Sequence, residues 1–213
     1  MRKLVALTFV TLDGVMQAPG GPDEDPTGGF KHGGWVAGYW DDSVGNVMAE
    51  QMKGPYDLVL GRKTYELFAA YWPHAGAEVQ GAKELNSARK YVVSTTLAKL
   101  EWSNSVLLTG DVVQEIRKLK QQQGPELQVH GSSNLMQTLL RSDLVDELRL
   151  KIFPITLGMG KRLFAEGTIP VGFKLLDCKT LSTGVIVATY GRAGPVKTGS
   201  FAASPTSSAE EVL

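Results

Sequence analysis

Apolar positions recur in two rhythms, and each predicts elements. Leu4 to Leu12 is an apolar run rich in β-branched residues, closed by Asp13-Gly14, which predicts a strand ending in a turn. Val44, Val47, Met48 and Met52 follow the helical spacing behind an Asp41-Asp42-Ser43 cap, with one buried stripe. Asp57 to Leu60, Lys90 to Val93, Val106 to Leu108 and Leu127 to His130 are short apolar runs that predict strands. Helices are expected after Gly61, stopping at Trp72-Pro73; over 81–88; after Asp111, with Val112, Val113, Ile116 and Leu119; and over 133–141. Asp146 to Phe153 alternates, with Leu148, Leu150 and Ile152 on one face, which predicts a strand with one face buried. Phe173–Leu181 and Val185–Tyr190 flank Ser182-Thr183-Gly184 and read as a hairpin, with Cys178 expected to be inert core.

Strands that alternate with helices imply an α/β fold: a mainly parallel central sheet, helices on both faces and an antiparallel C-terminal hairpin. Residues 1–193 read as one domain, and the Gly-, Ser-, Ala- and Pro-rich stretch 194–213 as a disordered tail. Residues 18–34 hold many Gly, Pro and Asp and read as a long loop of the functional kind.

Charge narrows the choice of function. The 213 residues carry 22 basic and 22 acidic side chains, with no cationic excess for nucleic acid. No apolar run approaches a membrane span, and a single cysteine fits a cytoplasmic home. His32, His74 and His130 lie far apart without partners at ligand spacing, so no metal site is expected. The G-x-S-x-G pattern of a nucleophile elbow is absent around His130-Gly131-Ser132-Ser133.

Two strand-to-helix corners carry the candidate chemistry. Gly61-Arg62-Lys63-Thr64 and Gly131-Ser132-Ser133-Asn134 each end an apolar run and open a helix. Helix starts expose unpaired N–H groups and the positive end of the dipole, so two of them suit a ligand with more than one phosphate. Ser132 or Ser133 would also serve as a helix cap. Trp35 and Trp40, after the Gly-rich loop, could stack on a planar substrate ring.

In order along the chain come Thr11-Leu12-Asp13-Gly14, Gly33-Gly34-Trp35, Leu60-Gly61-Arg62-Lys63-Thr64-Tyr65-Glu66 and Val93-Ser94-Thr95-Thr96-Leu97. Leu144 to Leu150, Pro154 to Phe164 and Thr183-Gly184-Val185 complete the series. With these pieces the chain resembles the dihydrofolate reductase-like superfamily, in the branch of the riboflavin-biosynthesis deaminase/reductase's reductase domain.

The resemblance implies an NADPH-dependent reductase that passes hydride directly to a small pyrimidine- or pterin-like heterocycle. It places Gly61, Arg62, Lys63 and Thr64 at cofactor phosphates, with Arg62 toward the 2′-phosphate. It places Ser94 and Thr95 beside the adenosine, and Gly131, Ser132, Ser133 and Asn134 under the pyrophosphate. Asp13 and Gly14 fall on the loop over the nicotinamide, with Asp13 the candidate catalytic residue, and pairing of the terminal strands implies a homodimer. Two features depart from the pattern. The chain has Gly131-Ser132 where the family usually has two glycines, and near Gly45 and Asn46 it lacks the acid that faces the pteridine in folate reductases. The alternative reading is a protein of the same fold that binds a nucleotide or other small ligand without turnover.

Overall fold

The computed structural model describes residues 1–76 and 78–201. One eight-stranded sheet runs through the molecule in the order β4-β3-β2-β5-β1-β6-β8-β7. The strands are β1 (Leu4–Thr11), β2 (Tyr56–Gly61), β3 (Lys90–Val93), β4 (Ser105–Leu108), β5 (Glu126–His130), β6 (Glu147–Phe153), β7 (Phe173–Thr180) and β8 (Ile186–Arg192). The first six are mutually parallel; β8 pairs antiparallel with β6 and with the edge strand β7. The helices are α1 (Asp42–Gln51), α2 (Arg62–Tyr71), α3 (Ala82–Ser87), α4 (Val112–Gln121) and α5 (Ser133–Arg141). No helix among the described residues is long and apolar enough to cross a membrane.

Each face of the sheet has its own core. One face carries Leu4, Ala6, Leu127, Val129 and Leu148 and is covered by α4 and α5. Asp111 starts α4 by accepting the Gln114 N–H at 3.0 Å, and Lys118 and Lys120 suit its C-terminal dipole. On α5, Leu135, Met136, Leu139 and Leu140 are buried at helical spacing. Leu139→Ala alone would remove about 2–5 kcal/mol.

The opposite face holds two apolar clusters, one around Leu58, Leu60, Tyr65 and Trp102, the other around Phe30, Trp35 and Phe153. Between them, β5 and β6 present Glu126, Gln128, His130, Glu147, Arg149 and Lys151, each buried or half-buried. β6 thus has the one buried face expected of it and a second, polar face that is covered too, because α1 overlies that side of the sheet. Gln128 Nε2 donates to the Gln51 carbonyl of α1 at 3.2 Å.

Two further outcomes concern the hairpin and the tail. Cys178 is exposed, because β7 lies at the sheet edge with almost all of its residues in contact with solvent. Ala193 N–H still pairs with the Gly172 carbonyl at 2.8 Å, and residues 202–213 of the expected tail lie outside the described residues.

Candidate active site

Because β1, β2, β3 and β5 are parallel, Thr11, Gly61, Val93 and His130 end on the same rim of the sheet. Ligands of such sheets bind along that rim. Asp13-Gly14, Gly61 to Thr64, Ser94-Thr95 and Gly131 to Asn134 all follow these strand ends.

The two corners are joined by one hydroxyl. Ser132 Oγ accepts the Gly61 N–H at 2.9 Å and donates to Thr64 Oγ1 at 2.8 Å. Gly131 and Ser132 are both left-handed, each with φ 59°. For a serine this costs roughly 1–2 kcal/mol, which the two hydrogen bonds offset. A side chain at Gly61 would meet Ser132 Oγ at 3.2 Å and press on the bridge between the corners. Ser132 therefore bridges the corners, and its side chain does not cap α5. Neither α2 nor α5 has a side-chain cap, so their first-turn N–H groups remain available to an anion.

Basic side chains flank the first corner. Arg62 pairs with Glu66 at 3.2 Å within α2, and both are half-exposed, a contact worth only about 0.2–0.5 kcal/mol that a phosphate can outbid. Lys63 reaches Asp25 of the long loop at 3.2 Å, and Lys161 reaches the same carboxylate at 2.5 Å. Burial pushes Asp25 up, but hydrogen bonds from Lys161, Thr27 and Lys63 more than offset it and hold the group at about 2. The loop is thus pinned between the two lysines. Gln17, just before the loop, donates Nε2 to the Asp25 and Thr27 carbonyls, both at 2.9 Å.

Other expected site residues are placed less simply. Ser94 is buried, and its Oγ accepts the N–H groups of Thr96 and Leu97 at 3.1 and 3.0 Å, closing a turn; Thr95 is exposed. Asn134 is exposed and Ser133 half-buried at the start of α5. Gly14 has φ 79° and accepts the Leu163 N–H at 2.9 Å.

The Asp13 carboxylate is spent as a clamp. It accepts from Thr11 Oγ1 at 2.5 Å and from the N–H groups of Leu157 and Gly158 at 3.2 and 2.8 Å. The Thr11 bond, foremost, and those N–H groups hold it below the usual carboxylate range against a small opposing effect of burial. A carboxylate so held is a poor proton donor, which argues against the catalytic role expected for it.

The two tryptophans part company. Trp35 is 9 % exposed, donates Nε1–H to the Gln17 carbonyl at 2.8 Å and packs edge-on against Phe153 at 5.2 Å. It is core, contrary to the stacking role expected for it. Trp40 is 49 % exposed and touches Phe9 edge-on at 6.2 Å, so its ring remains available to a planar ligand.

Below this rim lies the polar face of β5 and β6. His130 Nε2 is 2.9 Å from Gln128 Oε1. Gln128 uses its Nε2 toward Glu126 Oε1 and the Gln51 carbonyl, so its oxygen faces His130, which carries the proton on Nε2. Burial, with Lys151 and Arg149 nearby, pushes His130 down to about 3, so the ring is neutral. Lys151 is 1 % exposed, with Nζ 5.7 Å from the centre of the Phe9 ring. The inward residues of α1 are Val44 and Val47, and no acid stands on that side of the helix. Asp41 is its N-cap and also accepts from Ser182 Oγ at 2.6 Å.

The sequence profile of the RibD C-terminal domain matches residues 2–187. The chain belongs to that family. Membership supports a reductase-type function for this RibD-type domain. It is 28% identical over 197 residues to the protein YyaP of Bacillus subtilis (strain 168), covering 89% of this chain and 94% of that one. A putative riboflavin biosynthesis protein from Shewanella sp. PV-4 superposes with a TM-score of 0.64 at 23% identity, over 90% of this chain and 99% of the other. A dihydrofolate reductase from Enterococcus faecalis, complexed with NADP(H) and RAB-propyl, shares the fold with a TM-score of 0.54 at 16% identity, over 89% and 96% of the chains.

In this RibD-type domain, Lys151 and His130 are the candidate functional residues that sequence reasoning missed. A signal was present: Glu126, Gln128 and His130 on one strand and Glu147, Arg149 and Lys151 on another share the same alternation. β1 lies between these two strands, so polar side chains on one face of β5 and β6 meet across it when both strands are interior.

Proposed function

We propose that the protein is an NADPH-dependent reductase of a small heterocyclic substrate, acting by direct hydride transfer in the cytoplasm. The observation that carries this reading is the Ser132 bridge, which holds two uncapped helix starts side by side at the rim of the sheet. Main-chain N–H groups from Arg62 to Thr64 and from Ser132 to Asn134 would hold the diphosphate, since those of Gly61 and Gly131 are already bonded within the protein. Arg62, tied only to Glu66, would turn to the additional phosphate that distinguishes NADPH from NADH. When bound, the nicotinamide supplies hydride, while the protein supplies position and a field. Trp40 would stack on the substrate ring, and the Asp25 tether between Lys63 and Lys161 would fix the loop over the site.

Family membership and the fold shared with a reductase described as complexed with NADP(H) support the reading. A second reading, a binder without turnover, draws on the spent Asp13 and the apolar inner face of α1, which leave no free carboxylic acid as proton donor there among the described residues. We further propose a homodimer through β7, whose open edge carries the half-exposed Leu175 and Leu176. Light scattering at the monomer mass across micromolar concentrations would refute it.

Titration of the purified protein with NADPH and NADH, read by tryptophan quenching, tests the cofactor. Tighter binding of NADPH, with the preference reduced about tenfold in Arg62→Ala, is expected for the loss of one charge-assisted phosphate contact. Binding of neither nucleotide would overturn the reading. Binding without oxidation by any pterin, pyrimidine or quinone would favour the binder.

A further inference from the structure

On the polar face of β5 and β6 the charges are matched, except at Lys151. Arg149 donates to both oxygens of Glu126 at 2.8 Å, and its Nε donates to Glu147 at 2.8 Å. Lys3 takes the other oxygen of Glu147 at 3.0 Å. Both carboxylates are therefore in use. One pleat further toward the rim, the Lys151 ammonium meets no hydrogen-bond acceptor among the described residues and lies over the face of Phe9.

The elements around Lys151 offer it no acid. Across the register, β1 presents Phe9 and β8 presents Val187. Its own strand presents Arg149, and β5 presents neutral His130. The covering helix α1 turns Val44 and Val47 inward, and Asp41 at its cap is spent on Ser43, Val44 and Ser182. A buried cation with no partner costs far more than one in a pair, so its presence asks for a ligand. Burial, with Arg149 adding repulsion, pushes Lys151 down to about 7, where an ammonium gives up its proton readily. Phe9 alone separates Lys151 from the half-exposed Trp40, its ring 5.7 Å from Lys151 Nζ and 6.2 Å from the Trp40 ring, and the Trp40 indole N–H makes no hydrogen bond among the described residues.

We propose that Lys151 reads and protonates the substrate: it meets a carbonyl oxygen or ring nitrogen of a planar, acidic heterocycle that enters beside Trp40. The protonation step rests on the reductase reading above. As the ring carbon of a C=O or C=N bond receives hydride, the π pair moves to the heteroatom. The heteroatom takes a proton from Lys151 Nζ, leaving a neutral amine that water recharges after product leaves. One hydride and one proton are added across one double bond, and the nicotinamide is oxidised. The pocket therefore favours anionic or enolisable rings and rejects cationic ones, the opposite polarity to a pocket built around a carboxylate.

Orotate and uncharged uracil are the probes, titrated into the full chain without cofactor and followed by tryptophan fluorescence at pH 6 and pH 8.5. Orotate is expected to bind at pH 6 and at least tenfold more weakly at pH 8.5, and uracil more weakly at both. Lys151→Met should lose orotate binding at least tenfold while keeping its NADPH affinity, which also shows that it folds. Lys151→Arg should bind orotate with no weakening at pH 8.5, and Lys118→Met, on the exposed side of α4, should behave as wild type. Equal orotate binding by wild type and Lys151→Met, or none by wild type at millimolar concentration, overturns the proposal. Lys151-dependent orotate binding without NADPH binding overturns the reductase reading and leaves the pocket assignment standing.

Discussion

Two cations stand two residues apart on the same face of β6 and meet different surroundings. Arg149 is bracketed by Glu126 and Glu147, and these carboxylates more than offset burial and raise its pKa. Lys151 has no hydrogen-bond or ion-pair partner among the described residues and lies over the Phe9 ring, and burial lowers its pKa to about 7. The difference follows from position in the sheet. The lower half of β6 faces the polar residues of β5, whereas the upper half lies under the aromatic cluster of Phe9, Phe153 and Trp40 near the ligand rim. One strand thus serves stability at one end and a site at the other. A residue that costs stability without local compensation marks the functional end.

Removing Arg149 gives the largest expected effect. Arg149→Met leaves Glu126 without its cation and Glu147 with Lys3 alone, and should cost about 3 kcal/mol in urea unfolding at pH 7. Lys151→Met should move the other way, stabilising the protein by about 2 kcal/mol at pH 6.5, because a well-packed apolar side chain replaces an unpaired charge. Next comes the corner bridge: Ser132→Ala keeps the left-handed strain but loses both hydrogen bonds, at about 1 kcal/mol, whereas Ser132→Gly relieves the strain and should be nearly neutral. The smallest effect is reserved for Asp13. If its carboxylate is only a clamp, Asp13→Asn should leave the hydride-transfer rate within about threefold, against the hundredfold or more expected for loss of a general acid.

Much of the fold was legible because local signals agreed with one another. Asp41 and Asp111 were read as caps and are caps, and Gly61 and Gly131 were read as corners and are corners. Two errors and one omission share one cause, since alternation and composition give a residue's face but not what covers that face. The cover over Glu147, Arg149 and Lys151 was missed because their partners on β5 lie about twenty residues earlier in the chain and are brought alongside only through β1. Cys178 looked interior because its strand is apolar enough for a core, yet β7 is the edge. Trp35 and Trp40 were indistinguishable by type; a hydrogen bond to the Gln17 carbonyl and burial against Phe153 decide between them. The Ser132 bridge was hidden for the same reason, because its partners Gly61 and Thr64 belong to the other corner.

The central claim is that Lys151 sits charged, buried and unpaired for the sake of a ligand. Its folded pKa of about 7 lies below the ordinary 10.5, so between these values the unfolded chain binds more protons and the stability of the wild type rises with pH. The most direct measurement is the difference in unfolding free energy between Lys151→Met and wild type from pH 6 to pH 10.5. The account predicts that the variant is more stable at and below pH 7, with the gap closing as pH climbs toward 10.5. A variant less stable than wild type throughout, with no pH dependence in the difference, would contradict it and make Lys151 a packing residue.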